Sequence, residues 1–192
     1  MEPRPHPNEG EISTVQRVGT ALPTDTPSVV NQIPEGICGD FNMRIARDGT
    51  WFYRGSPIGR LALVKLFSTV LHRKPDGSYW LTTPVESGVI EVEDAPFMAV
   101  ELFREGTGRD QILKFRTNID DIVTLDDTHA LRIEENAEGE PRPYIFVRRG
   151  LEARLVRPVF YELVEIAETD PQDPDCIGVW SAGHFFRVGK TT

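Results

Sequence analysis

The sequence predicts an α+β fold, a duplicated unit of antiparallel sheet plus one helix. Three observations predict it. Strand-like runs cluster between two stretches of helical period, without the regular alternation that a doubly wound parallel sheet demands. Each helical stretch follows an Arg-Gly pair, Arg54-Gly55 and Arg149-Gly150, and each is followed by a strand with a tryptophan, Trp80 and Trp180. The self-match also holds between these points. Met43-Arg44-Ile45 matches Leu131-Arg132-Ile133. After a one-residue length change Arg60-Leu61 aligns with Arg154-Leu155, Phe67 with Tyr161 and Val70 with Val164. A twofold-like pairing of the halves places matched residues across one shared cleft. The bland alternative is chance similarity within an α+β chain.

The elements follow in order. The first 34 residues hold Pro3, Pro5, Pro7, Pro23, Pro27 and Pro34 and show no sustained periodicity, so 1–34 reads as a mobile proline-rich arm. An N-terminal unit is expected over 35–88 and a C-terminal unit over 89–192. Phe41 to Ala46 and Trp51 to Arg54 flank Asp48-Gly49, a hairpin signal because the turn needs positive φ. Ser56 reads as an N-cap and Pro57 as the first residue of a helix reaching about His72, stopped by Pro75-Asp76-Gly77. Ile58, Leu61, Val64, Phe67, Val70 and Leu71 form its apolar face; Lys65, Ser68, Thr69 and His72 form the wet one. Strands are expected at Ser78 to Thr83, Gly88 to Val92, Pro96 to Phe103, Gln111 to Thr117, Asp121 to Leu125, Ala130 to Glu134 and Tyr144 to Arg148. A second helix spans about Pro158 to Glu168, and a closing hairpin runs from Ile177 to Val188. Leu61, Phe67, Val70, Leu155, Val159, Phe160 and Leu163 are the expected helix contributions to the core.

Composition bounds the function. In 192 residues, 30 Asp and Glu oppose 21 Lys and Arg, for a net charge of −9. That balance works against indiscriminate binding to nucleic acid or anionic lipid. The 39% hydrophobic content excludes a fully disordered chain. No apolar run approaches the roughly 18 residues of a membrane span; the densest is Leu61-Ala62-Leu63-Val64. The N-terminus lacks an apolar signal core, and two cysteines, Cys38 and Cys176, suit a reducing compartment. A soluble cytoplasmic protein is expected, with neither nucleic acid nor membrane as partner.

The usual catalytic patterns fail one by one. His6, His72, His129 and His184 are scattered, with no CxxC and no HExxH, so no metal or other cofactor is expected. Gly178-Val179-Trp180-Ser181-Ala182-Gly183 is one residue too long for a nucleophile elbow and lies in a hairpin. Capping explains Ser56, and nothing near Cys38 lowers its thiol pKa. Gly106 and Gly108 give G-x-G, but Gln111 stands where the third glycine belongs. Asp120-Asp121, Asp126-Asp127 and Glu134-Glu135 read as solvated turns. No catalytic residue is assigned.

The informative stretch is Arg148 to Arg157, with Arg148, Arg149, Arg154 and Arg157 just before the second helix. Unpaired N–H groups at a helix N-terminus and bidentate guanidinium donors together make an anion site. Arg54 and Arg60 flank the first helix start. The competing reading pairs these arginines with surface acids such as Glu152 and Glu162.

Several motifs then carry a resemblance. Cys38-Gly39-Asp40, Arg54-Gly55-Ser56-Pro57-Ile58-Gly59-Arg60, Thr83-Pro84-Val85-Glu86, Glu93-Asp94-Ala95-Pro96-Phe97, Thr117-Asn118 and Gly150-Leu151-Glu152-Ala153-Arg154 occur in order. The chain from about Gly36 to Val188 resembles the bacterial family labelled domain of unknown function 1285. The resemblance implies a duplicated core, a pleckstrin-homology-like second domain, and a ligand site at the domain interface for a nucleotide-like molecule in signalling. The expected site comprises Arg60, Arg154, Arg157 and Asn118 as donors, with Glu86 and Glu152 orienting the arginines. Its ligand is small and anionic or nucleotide-like. A protein-docking module and an enzyme with a distributed site are the alternatives. A ligand module predicts an arginine-bearing cleft, a docking module an exposed apolar patch outside it, and an enzyme a strongly shifted titratable group inside it.

Overall fold

The computed structural model describes residues 38–191, so the arm expected over 1–34 lies outside the described residues. The described chain is mixed α+β and dominated by strands. Its first three strands, β1 (Cys38–Ile45), β2 (Trp51–Tyr53) and β3 (Ser56–Pro57), form an antiparallel meander. Helix α1 (Leu61–Val70) follows. A second meander comprises β4 (Leu71–Arg73), β5 (Tyr79–Thr82) and β6 (Ser87–Val92). The two join into one six-stranded sheet, ordered β3-β2-β1-β6-β5-β4.

The C-terminal half opens with β7 (Phe97–Glu105), β8 (Ile112–Thr117) and β9 (Ile122–Thr124). A further meander, β10 (Leu131–Glu135), β11 (Pro141–Arg148) and β12 (Leu151–Leu155), leads into α2 (Arg157–Glu165). The second six-stranded sheet is ordered β10-β11-β12-β7-β8-β9. The last strands, β13 (Glu168–Asp170), β14 (Asp173–Ser181) and β15 (His184–Lys190), make a three-stranded sheet whose β15 packs beside β10.

Neither large sheet is purely antiparallel, contrary to expectation. β1 runs parallel to β6, and β12 parallel to β7. A parallel pair needs a long crossover; β2 to β5 with α1 supply the first, and β8 to β11 supply the second.

Both helices are shorter than the sequence suggests. Ser56 is not an N-cap: Arg54 (φ 47) and Gly55 (φ 81) turn the chain back, and Ser56–Pro57 pairs with β2. Arg60 takes the cap position of α1 with no side-chain bond. At the far end Leu71 to Arg73 pair with Leu81 to Tyr79, so ladder formation overrides the expected last helical turn. Pairing of Glu168 and Thr169 with β14 likewise follows the end of α2 at Glu165.

The core is continuous across both sheets, with Trp51, Phe97, Phe115, Ile145, Leu151 and Leu163 among its fully buried members. Leu155, Val159, Phe160 and Leu163 are buried as expected, while Phe67 and Val70 are partly buried. Leu61 is 46% exposed, a departure from the sequence reading, because Val64 and Ser68 are the residues α1 buries.

Side chains couple the two halves. Asn118 accepts from the Met98 amide at 3.0 Å and donates to the Gly49 carbonyl at 3.5 Å. α1 has no basic residue in its last turn; Arg148 and Arg149 bond its Ser68 and Thr69 carbonyls instead, at 3.3 and 2.8 Å. Lys65 of α1 also meets Asp120 at 2.7 Å.

Candidate functional site

A cavity of about 540 Å³ brings together Arg47, Arg142, Arg154 and Arg157. Arg47 belongs to the β1–β2 turn, where Ala46 and Thr50 close the hairpin and Gly49 adopts φ 83. The Arg47 amide donates to Glu93 at 3.0 Å, which ties that turn to the segment between the sheets. Arg154 sits opposite Tyr144 across β11 and β12, and Arg142 lies two residues from Tyr144, on the same sheet face. Arg157 is the first residue of α2. Val156, at the cap, offers no side-chain acceptor, so nothing on the cap residue bonds the first-turn N–H groups beside these guanidiniums.

The four arginines are held unequally. Arg154 bonds Asp94 at 2.8 Å, and Asp94, only 9% exposed, also accepts from the Tyr144 hydroxyl at 2.7 Å. Burial, reinforced by the Asp94 carboxylate, pushes the Tyr144 pKa up to about 12. Arg157 is 72% exposed, and its carboxylate partner, Glu140, is 3.9 Å away. Arg47 and Arg142 form no ion pair among the described residues. Glu138 and Glu140 temper the positive field, and the exposed ring of Tyr161 adds a flat wall.

Of the residues singled out in the sequence, Arg154 and Arg157 meet in this cavity. Glu152 lies on β12 but binds Arg132, at 2.9 and 2.7 Å, and raises its pKa; Arg132 in turn stacks 4.5 Å over the Tyr144 ring. Asn118 serves the joint between the halves. Arg60 is exposed ahead of α1 and outside the cavity. Glu86 is exposed in the β5–β6 turn, where its carbonyl accepts from the Thr83 amide and hydroxyl, and it borders a different groove. Arg47, Arg142 and Tyr161 escaped the sequence reading. The turn signals Asp48-Gly49 and Glu138-Gly139 mark two hairpin tips that contribute to the cavity, but only the fold brings them together.

The other chemical candidates have structural roles. Ser181 is fully buried; its hydroxyl donates to the Leu125 carbonyl at 2.6 Å and accepts from the Leu113 amide at 3.0 Å. Asp173 accepts from the Cys176 thiol and raises its pKa. Among the described residues no three His, Cys, Asp or Glu side chains gather in a metal-binding group, and no helix is long and apolar enough to cross a membrane.

Comparison with known proteins agrees with the resemblance. Residues 27–95 match the N-terminal domain of unknown function DUF1285, and residues 96–188 match the C-terminal domain of the same family. A solved DUF1285 family protein from Silicibacter pomeroyi shares 44% identity, over 81% of this chain and 84% of that one, with a TM-score of 0.75. A second, from Shewanella baltica, shares 28% identity over 64% of this chain and 90% of that one, with a TM-score of 0.51. No curated protein matches the chain. Matched in both of its domains, the chain belongs to the DUF1285 family.

Proposed function

We propose that this protein is a binding module for a small anion, seated between the β1–β2 hairpin tip and the β11–β12–α2 face, and that it acts as a sensor. One observation carries the reading. Four arginines line one cavity, and among the described residues only Arg154 of the four has a short ion pair, so three remain to meet a ligand. Arg47 comes from the N-terminal sheet and the others from the C-terminal half. An anion bridging them fastens the halves together, and that is the physical basis for sensing. A nucleotide-like ligand suits the cavity, since Tyr161 offers an aromatic face beside the phosphate donors.

We also infer that the two halves derive from one duplicated unit. A meander, a helix and a second meander occur in both, as β1–β6 around α1 and as β10–β15 around α2. Arg149 and Gly150 repeat the positive φ of Arg54 and Gly55, at 49 and 75 against 47 and 81. Arg44 lies 4.3 Å over the ring of its cross-strand partner Phe52, as Arg132 does over Tyr144. On this reading the helix starts equate Leu61 with Arg157, two residues from the equivalence of Arg60 with Arg154 suggested by sequence. β7, β8 and β9 are then an added meander.

Thermal unfolding with pyrophosphate, AMP and ATP tests the function. A ligand at a hundredfold excess over its Kd stabilises the wild type by about 2.7 kcal/mol. Arg157→Ala, at an exposed position, leaves the unliganded midpoint within about 1 °C and abolishes most of the rise. If none of the three anions raises the midpoint, or Arg157→Ala keeps the full rise, the cavity is not the site.

A further inference from the structure

The two helices differ in what they show to solvent. α2 divides in the ordinary amphipathic way: it buries Val159, Phe160 and Leu163 and exposes Arg157, Tyr161, Glu162 and Glu165. α1 is apolar on nearly every side. It buries Val64 and Ser68 and leaves Leu61, Ala62, Leu63 and Leu66 exposed, with Leu66 at 61%. Its one charged side chain, Lys65, is taken by Asp120. Beside this ridge lies a groove of about 470 Å³, walled by Phe41, Met43, Phe67 and Leu81, and bordered by Arg54 and by the acids Asp40 and Glu86.

We propose that this face is the interface between two copies of the chain related by a twofold axis. The α1 ridge of each copy then lies in the groove of the other. A ridge and a groove side by side become mutually complementary under a half-turn, which is the requirement for an isologous contact. The border carries both signs, so Arg54 of each copy can meet an acid of the other in two equivalent pairs. Elsewhere the net charge of −9 opposes self-association, whereas the exposed ridge carries no unpaired charge. A ten-residue helix is about 15 Å long and about 10 Å wide. Its outer face alone falls short of the roughly 800 Å² that each partner buries in a standard interface. Ridge and groove must therefore be buried together, and the reciprocal arrangement does so.

The test is the mass of the full chain by sedimentation equilibrium from about 1 μM to about 1 mM. The expected result is a species of twice 21.6 kDa at the upper end. Leu63→Glu and Leu66→Glu should each weaken the dimer by about a hundredfold or more, because a carboxylate is then buried unpaired. Both variants should keep the wild-type circular dichroism and the melting point of the dilute protein. Tyr161→Glu, at an exposed position on α2 that lines the arginine cavity and not the groove, should leave the dimer intact. A mass of 21.6 kDa through the whole range overturns the proposal. So does a dimer that survives Leu66→Glu, or one that Tyr161→Glu disrupts equally.

Discussion

Asp94 holds the network behind the cavity, and replacing it with asparagine isolates its charge. The carboxylate accepts two bonds, from Tyr144 at 2.7 Å and Arg154 at 2.8 Å, in a place where it is only 9% exposed. Asparagine keeps the shape and one acceptor oxygen, so the Tyr144 hydroxyl can retain a partner. Arg154 loses its counter-charge while remaining largely covered. A charge-assisted hydrogen bond contributes about 1.5–3 kcal/mol, and fully breaking a buried pair costs about 3–5 kcal/mol. Residual solvent access at Arg154 places Asp94→Asn near the lower range, about 2 kcal/mol. For a chain of this size that lowers the melting midpoint by about 4–8 °C. The same change removes part of what holds the Tyr144 pKa at about 12, so tyrosinate should form at lower pH in the variant. The sign is fixed: a raised phenol pKa stabilises the fold below the unfolded value of 10.0, and that contribution is lost as pH rises through about 12. Thermal denaturation at neutral pH and an ultraviolet tyrosinate titration measure both effects. A midpoint within about 1 °C of wild type, with an unchanged titration, would falsify the assignment of Asp94 as the counter-charge.

Two further substitutions test packing and hydrogen bonding. Gly178→Ala should cost about 3 kcal/mol or more in denaturant unfolding, because the new methyl group would stand 2.3 Å from the Phe186 carbonyl oxygen; a midpoint equal to wild type refutes that close approach. Ser181→Ala should lose about 1–3 kcal/mol by orphaning the Leu113 amide and the Leu125 carbonyl, and the wild-type Ser181 should resist an activated phosphonate. Labelling of native Ser181 contradicts its burial.

Much of the fold follows from local chemistry that can be read along the chain. The Asp48-Gly49 turn, the strands from Tyr79 to Arg148 and the apolar stripe of α2 are set by φ preference and by periods of 2 and 3.6. β12 is concealed in the sequence for a specific reason. Its neighbouring arginines give the stretch a charged, loop-like composition, while Leu151, Ala153 and Leu155, buried alternately with partly exposed Glu152 and Arg154, carry the strand signal. α1 misled for the opposite reason: leucines all round it resemble a core helix, yet only two of its residues face the sheet closely enough to be buried.

By itself the sequence determined the α+β class, the run of strands from β5 to β11 with a helix on either side, the family and the arginine-rich approach to α2. Each of these depends on interactions between near neighbours or on motifs that survive as written order. The tertiary structure alone decided the two parallel joins, the exposure of Leu61 and Leu66, and the meeting of Arg47 with Arg142, Arg154 and Arg157. Those outcomes depend on which strand edges and hairpin tips meet, and residues a hundred positions apart carry no local mark of that pairing.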